Sequence, residues 1–161
     1  SGLPTGRFAF EAFLPPDKKL RASRLKELQT ETRTIILYEA PHRLVKTLAE
    51  LQEALGERRI SVCRELTKKH ETVFAATIGE ALAYYEENEP KGECVLVIEG
   101  IAAKELEKAA QAEWQQISIE EHMQQYLDQG MEKKEAMKAV AADRGIGKRD
   151  VYQALLNSEV E

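Results

Sequence analysis

The chain has 161 residues, of which 43% are hydrophobic and 32% are charged, and its formal net charge is −5 at pH 7. These values are typical of one substantial globular domain, or of a domain with a small appendage. The negative net charge argues against a protein that coats nucleic acid through bulk charge. No apolar run approaches the ~20 residues of a membrane-spanning helix, so we expect a cytoplasmic protein with no membrane partner.

The first part of the chain, residues 1–101, alternates strand-like and helix-like patterns. Apolar or alternating β-rich runs predict strands, and leucines at helical spacing predict helices. Such alternation indicates an α/β fold in which helices flank a mixed sheet. The predicted strands are 8–14, 34–38, 60–63, 71–78 and 94–99, and the predicted helices are 18–29, 41–55 and 78–87.

The composition changes after Ile101, where Ala, Glu, Lys and Gln become frequent. We interpret residues 102–117 as a partly helical linker and 118–161 as a tail of three short helices. Ser118 and Glu121 have the spacing of a capping box, and Gly130 and Gly145 are placed to end the first two helices. Tight glycine turns between short helices are typical of a helix-turn-helix-like unit.

The two cysteines, Cys63 and Cys94, lie in apolar runs. We interpret them as buried, reduced thiols, with a disulfide between neighbouring strands as the alternative. Neither cysteine has the spacing of a zinc site, and no metal is expected.

Charged residues follow directly after two core strands. The second predicted strand runs into residues 39–43 and the third into residues 64–71, while Gly92 precedes the last core strand. Ligands of α/β sheets collect where strands end, and a glycine lets backbone approach a ligand closely. These three loops are therefore the candidate site. The alternative is that Glu39 with Arg43, and Arg64 with Glu65, are ion pairs or caps that fix the loops.

Six short motifs in chain order closely resemble the ribosomal RNA small-subunit methyltransferase I family of the tetrapyrrole methylase superfamily. The resemblance covers residues 1–100, and the trihelical tail is similar to that family's C-terminal extension. The motifs are Ser1-Gly2-Leu3-Pro4-Thr5 with Arg7-Phe8, Glu11-Ala12-Phe13-Leu14-Pro15, Tyr38-Glu39-Ala40-Pro41-His42-Arg43, Arg64-Glu65-Leu66-Thr67-Lys68, Lys91-Gly92-Glu93 and Val97-Ile98-Glu99-Gly100.

The resemblance implies transfer of a methyl group from S-adenosylmethionine to the ribose 2′-oxygen of a cytidine in 16S ribosomal RNA of the small subunit. It also implies two α/β domains with the cofactor between them, and a homodimer when full length. The family's glycine-rich cofactor loop has no match here, so we expect the C-terminal part of the enzyme, inactive without the N-terminal domain. Alanine stands at Ala12 and Ala40 where the family commonly has glycine and serine. The resemblance places cofactor contacts at Tyr38, Glu39, Ala40, Leu66, Thr67, Gly92 and Glu93.

A ribose hydroxyl is a poor nucleophile until it is deprotonated, so a base assists the reaction. The candidate bases are Glu65 and His42, with His70 as a further one. Tyr38 and Trp114 are candidates for stacking on bases, against a role in packing. The cations expected to contact RNA phosphates, rather than simply to solvate helix faces, are Lys18, Lys19, Arg21, Arg24, Arg43, Lys148 and Arg149.

Two alternatives remain open. One is methylation of a small molecule such as a tetrapyrrole, although that substrate gives no role to the tail or to the basic stretch 18–26. The other is a helix-turn-helix DNA-binding protein whose third helix, with Lys148, Arg149 and Tyr152, enters a groove. Residues 131–152 carry six cations and four anions, which gives little affinity for the phosphates of duplex DNA.

Overall fold

The computed structural model describes residues 1–158, so residues 159–161 of the predicted tail lie outside the described residues. The chain forms two compact units, Ser1–Ala102 and Ala103–Glu161. Each unit has its own hydrophobic core. No helix of the described residues is long and apolar enough to span a bilayer.

The first unit is a five-stranded mixed sheet with helices, as the sequence predicts. The strand order is β1-β2-β5-β3-β4, with β1 and β2 parallel and every other neighbouring pair antiparallel. The strands are β1 Phe8–Phe13, β2 Thr34–Glu39, β3 Arg59–Arg64, β4 Thr72–Thr77 and β5 Cys94–Ile98, and the helices are α1 Lys18–Leu28, α2 Leu44–Leu55 and α3 Ile78–Glu87, with a short 3₁₀ turn at Pro41–Arg43.

The helices α1–α3 cover one face of the sheet. Alternate residues of the central strands point to this face, because successive side chains of a strand point in opposite directions. Ile35, Leu37, Val62 and Leu96 are at most 1% exposed there. The opposite face carries exposed aromatic side chains, namely Phe8, Phe10 and Tyr38.

The two cysteines are buried free thiols, as the sequence predicts. Cys94 pairs with Arg64 in the β3–β5 ladder, and Cys63 is the residue before Arg64. The two thiols therefore lie on opposite faces of the sheet, which explains why these neighbouring strands carry no disulfide.

The second unit is helical. Ser118 accepts a hydrogen bond from the Glu121 amide and the Glu121 carboxylate accepts one from the Ser118 amide, so the predicted capping box is confirmed. Gly145 ends α6 in a left-handed conformation. The predicted linker contains a helix whose Trp114 ring stacks on His122, with 3.9 Å between ring centroids. The helices are α4 Ala103–Trp114, α5 Ile119–Asp128, α6 Lys133–Arg144 and α7 Lys148–Ser158.

Candidate functional site

A cavity of about 500 Å³ opens at the edge of the sheet in the first unit. β5 lies between β2 and β3 and is antiparallel to both. The carboxyl ends of β2 and β3 therefore meet beside the amino end of β5, and Glu39 and Arg64 both pair with Cys94. The lining residues are Phe13, Tyr38, Glu39, Ala40, Pro41, Leu66, Glu93, Cys94 and Val95.

The structure thus brings together the three loops that the sequence analysis singled out. Tyr38, Glu39, Ala40, Leu66 and Glu93 line the cavity. Thr67 and Gly92 lie in the same loops, next to lining residues. Of the candidate bases, His42 follows the lining residue Pro41, and Glu65 precedes the lining residue Leu66.

Glu39 organises the loop after β2. Its carboxylate is buried and accepts hydrogen bonds from the Ala40 amide (2.9 Å) and the Thr47 hydroxyl (2.5 Å). The Arg43 guanidinium lies 3.8 Å from the same carboxylate, as the ion-pair interpretation expects. These contacts fix the backbone at Ala40, so this wall of the cavity is preorganised.

Glu65, Lys68 and Glu93 connect the other two loops. The Glu65 carboxylate accepts hydrogen bonds from the Glu93 amide (3.1 Å) and the Lys68 ammonium group (3.3 Å), and Lys68 also reaches the Glu93 carboxylate at 3.0 Å. The Glu93 amide, assisted by Lys68, lowers the pKa of Glu65 below its ordinary value. A carboxylate held in this way is a weaker proton acceptor, and its contacts give it a role in positioning the loops.

Leu66 lies between two residues with left-handed backbones, Glu65 at φ 51° and Thr67 at φ 65°. The Thr67 amide donates to the Glu71 carboxylate at 2.6 Å. Among the described residues, the Leu66 amide has no hydrogen-bond acceptor, and its side chain is 40% exposed. The rim of the cavity therefore offers an apolar side chain and a free backbone donor.

Four lining residues were not singled out from the sequence: Phe13, Pro41, Cys94 and Val95. Phe13 reaches the cavity because a register shift between Phe10 and Ala12 brings Phe13 opposite Tyr38, and the two rings meet edge to face at 5.7 Å. Burial raises the pKa of the Cys94 thiol to about 11, so this group is a protonated part of the wall. The motif containing Phe13 was the one available signal for that residue.

The residues predicted to contact RNA differ in accessibility. Lys18, Lys19, Lys148 and Arg149 are exposed, and Arg24 pairs with Glu11 and Glu27.

Arg21 is only 6% exposed, and its side chain bonds Thr47 and Glu50. Because its guanidinium group bonds these residues inside the protein, Arg21 does not belong to a phosphate-binding surface.

The two histidines that are candidate bases, His42 and His70, are both exposed. Among residues 1–158, no group of three or more His, Cys, Asp or Glu side chains is arranged to hold a metal ion.

Comparison with known proteins covers the loops of this site. The profile of the Tetrapyrrole (Corrin/Porphyrin) Methylases matches residues 1–82. Two similar proteins are called ribosomal RNA small subunit methyltransferase I. The one from Halalkalibacterium halodurans is 43% identical to this chain over 94% of the chain's length, and the one from Bacillus subtilis is 42% identical over 96%. The protein of that name from Synechocystis is 40% identical over 100% of the chain. The chain covers 52%, 52% and 56% of these three proteins, about half their length.

Proposed function

Since the chain belongs to the tetrapyrrole (corrin/porphyrin) methylase family, we propose that it is part of an S-adenosylmethionine-dependent methyltransferase acting on small-subunit ribosomal RNA. The observation that carries this proposal is the cavity built from the loops after β2, after β3 and before β5. In this proposal the cavity is one wall of the methyl-donor cleft. The substrate assignment is supported by the relatives, whose names specify ribosomal RNA of the small subunit.

The lining of the cavity suits this cofactor. Phe13, Tyr38, Leu66 and Val95 give apolar surface for an adenosine ring, and the free Leu66 amide supplies a backbone donor at the rim. Glu39 and Glu93 are the charged residues among those described as lining the cavity. Their carboxylates suit a ligand that carries a positive sulfonium group, while Arg43 and Lys68 balance part of their charge. When bound, S-adenosylmethionine supplies an activated methyl group.

For the proton of the ribose hydroxyl, we favour His42 over Glu65. His42 is exposed and directly follows the cavity wall, and its imidazole forms no side-chain hydrogen bond or ion pair with another described residue. The imidazole side chain is the most common general base in proteins. Glu65 instead holds the loops. Replacing His42 with Gln in the complete methyltransferase is expected to lower kcat about 100-fold or more, with little change in the affinity for the methyl donor.

Methyl-donor binding is testable with the 161-residue chain by adding S-adenosylmethionine and following backbone amide resonances by NMR. We expect shifts at residues 38–40, 66–67 and 92–93, and none at residues 133–152. Leu66→Arg should remove them, because it places a cation at the rim against a cationic ligand. Leu20→Arg is the matched control, since Leu20 is 62% exposed on α1, away from the cavity. Shifts elsewhere, or their survival in Leu66→Arg, would refute the assignment of this wall.

A methyl-transfer assay tests whether this one wall of the cleft is enough for activity. The chain covers about half of its relatives, so with tritiated S-adenosylmethionine and unmethylated small ribosomal subunits we expect no transfer by this chain alone. Tritium incorporation by the chain would contradict the need for a second wall. Transfer by the complete protein to a tetrapyrrole, and not to the subunits, would favour the small-molecule alternative. The homodimer and the cytoplasmic location stay predictions.

A further inference from the structure

A second cavity lies in the helical unit, between the beginnings of α6 and α7. Its volume is about 580 Å³, within the range of small-ligand sites. We call it the Tyr152 pocket. Its lining residues are Lys133, Lys134, Met137, Lys148, Arg149 and Tyr152.

The charge of the Tyr152 pocket is entirely positive among the described residues that line it. Lys133 and Lys134 occupy the first turn of α6, and Lys148 and Arg149 the first turn of α7. None of these four side chains forms an ion pair within residues 1–158. Cations in the first turn oppose the helix dipole, and four like charges repel each other. Stabilisation of the helices therefore does not explain this cluster, whereas an anionic ligand does.

The apolar part of the Tyr152 pocket is held rigidly. Val151, the residue before Tyr152, is fully buried in the core of the helical unit, and Leu155 packs against that core. Met137 is 7% exposed and belongs to the same core. Tyr152 itself is 52% exposed. An aromatic ring is thus fixed at the surface, beside a buried thioether and amid four cations.

We propose that the Tyr152 pocket binds an unpaired nucleotide of single-stranded RNA, with its base on the Tyr152 ring and the flanking phosphates on Lys133, Lys134, Lys148 and Arg149. This inference rests on the proposed function, which makes RNA the substrate. An aromatic side chain with cations beside it suits a nucleotide, because the base can stack on the aromatic ring while the cations contact the phosphates. Bases of an A-form duplex are stacked and paired, so a duplex could use the cations but not the ring.

The test measures binding of the 161-residue chain to a fluorescein-labelled oligouridine of about 12 nucleotides, a length within single-strand site sizes, by fluorescence anisotropy. Tyr152→Ala should weaken binding roughly 10-fold, and Tyr152→Phe should bind as the unmodified chain does. Lys148→Gln with Arg149→Gln should reduce the dependence of log K on log salt by about 1.4, the value for two phosphate contacts.

The matched control is Lys104→Gln with Lys108→Gln. These two lysines are exposed on α4 and do not line the pocket, so their loss changes the net charge equally. We expect at most a small change in affinity and no change in the salt dependence. Circular dichroism checks that each variant folds, and Tyr152→Phe serves the same purpose within the pocket.

Two results would overturn the inference. Equal affinity for duplex RNA of the same length, with no effect of Tyr152→Ala, would reduce the surface to a simple electrostatic patch. Stronger binding of polyglutamate than of oligouridine would indicate an acidic protein partner. The NMR titration with S-adenosylmethionine on the same sample separates the two proposals. If the chain does not bind RNA but shows the methyl-donor shifts, only the proposal for the Tyr152 pocket is refuted. If it binds RNA but shows no methyl-donor shifts, the methyl-donor assignment is refuted.

Discussion

Within residues 1–158, three residues other than glycine have a left-handed backbone, and all three lie in or next to segments that form the cavity: Ala12, Glu65 and Thr67. Such a conformation costs a residue with a Cβ roughly 1–2 kcal/mol. The surrounding contacts must offset this cost, as strand register does at Ala12 and hydrogen bonds do at Glu65 and Thr67. Strain of this kind concentrates at functional sites, in agreement with the proposed role of the cavity.

Ala12 gives a direct test of this strain. It has φ 53° at the register shift of β1, a position where glycine fits without a steric cost. Ala12→Gly should raise the free energy of unfolding by about 0.5 kcal/mol, since relief of about 1–2 kcal/mol of strain outweighs the entropy gained by the unfolded chain, about 0.4–1 kcal/mol. Urea denaturation measures it.

The control for Ala12 is Ala75→Gly, an exposed position of β4 whose φ is negative. That change should lower stability by about 0.5–1 kcal/mol. Equal destabilisation by both substitutions would show that the Ala12 backbone is not strained.

Gly92 is required by its distance from Glu65. A Cβ at Gly92 would lie 2.1 Å from Glu65 Oε1, and Gly92 has φ 79°. Gly92→Ala should therefore displace the Glu65 carboxylate from the Glu93 amide, lower the free energy of unfolding by at least ~1 kcal/mol, and weaken the methyl-donor NMR shifts. Denaturation and the NMR titration measure the two effects.

Two further variants separate the clash from the backbone effect. Gly2→Ala shows the backbone effect alone, because Gly2 has φ 74° and nothing lies within 4 Å of a Cβ at that site. Adding Glu65→Ala to Gly92→Ala should recover part of the lost stability, since it removes the clashing carboxylate. Strict additivity of the two changes would show that the contact between them is unimportant.

At the scale of the elements, α4, α5 and α6 meet at a buried histidine. The His122 side chain is fully buried, its Nδ1 accepts a hydrogen bond from Arg144 Nε (3.2 Å), and its ring stacks on Trp114. Nε2 lies 3.3 Å from the Asp143 carboxylate without hydrogen-bond geometry. Burial and the nearby Arg144 cation lower the pKa of His122 below its ordinary value. The helical unit is therefore assembled around a neutral imidazole.

This arrangement predicts that stability of the helical unit depends on pH. An unfolded histidine binds a proton as the pH falls through about 6.5, while His122 in the folded unit binds it only at lower pH. The unfolded state then holds more protons, so the free energy of unfolding should fall as the pH drops below about 6.5 and level off below the folded pKa. Urea denaturation followed by fluorescence of Trp114, the single tryptophan, measures this.

Two histidine variants identify the titrating group. His122→Phe keeps a ring against Trp114 but binds no proton, so its stability should lose this pH dependence even if it is lower overall. His70→Gln, an exposed position of the sheet unit, should keep it. An unchanged slope in His122→Phe would assign the effect to another group.

The sequence predicted most of the elements because their patterns are local. Alternation marked the strands, and the Ser118–Glu121 spacing marked the beginning of α5. Helix α1 shows where this fails: Leu20 is 62% exposed and Arg21 only 6%. The partners that bury Arg21 are Thr47 and Glu50, 26 and 29 residues along the chain. No spacing within α1 reveals such a network.

The candidate site likewise has features that the sequence could predict and features that it could not. Loops 38–41 and 64–67 could be found because charged residues follow core strands. The left-handed backbone at Glu65 and the link from Glu65 to Glu93 could not, since residues other than glycine rarely adopt this conformation and the hydrogen bond spans 28 positions. The sequence predicted only part of the Tyr152 pocket. Lys148 and Arg149 were expected to contact RNA, but Lys133 and Lys134 join them only through the packing of α6 and α7.

At the scale of the whole molecule, the two proposed sites fall in different units. The described residues that line the cavity after β2 and β3 all belong to Ser1–Ala102, and those that line the Tyr152 pocket all belong to Ala103–Glu161. The two cores are equally separate. Methyl-donor binding and RNA binding are therefore expected to divide between two fragments.

Cutting the chain after Ala102 tests this division. We expect fragment 1–102 to fold and keep the S-adenosylmethionine shifts at residues 38–40, because its sheet and core are complete. Fragment 103–161 should fold as helices and bind oligouridine within about 3-fold of the full chain, since domains of about 55–65 residues often fold alone. Circular dichroism, NMR and anisotropy measure these properties. A cut after His70 is the control, because it separates β3 from β4 and β5 and should unfold both sheet fragments. If fragment 103–161 folds but does not bind oligouridine, the RNA surface requires residues of the sheet unit, and Lys18 and Lys19 become the first cations to replace.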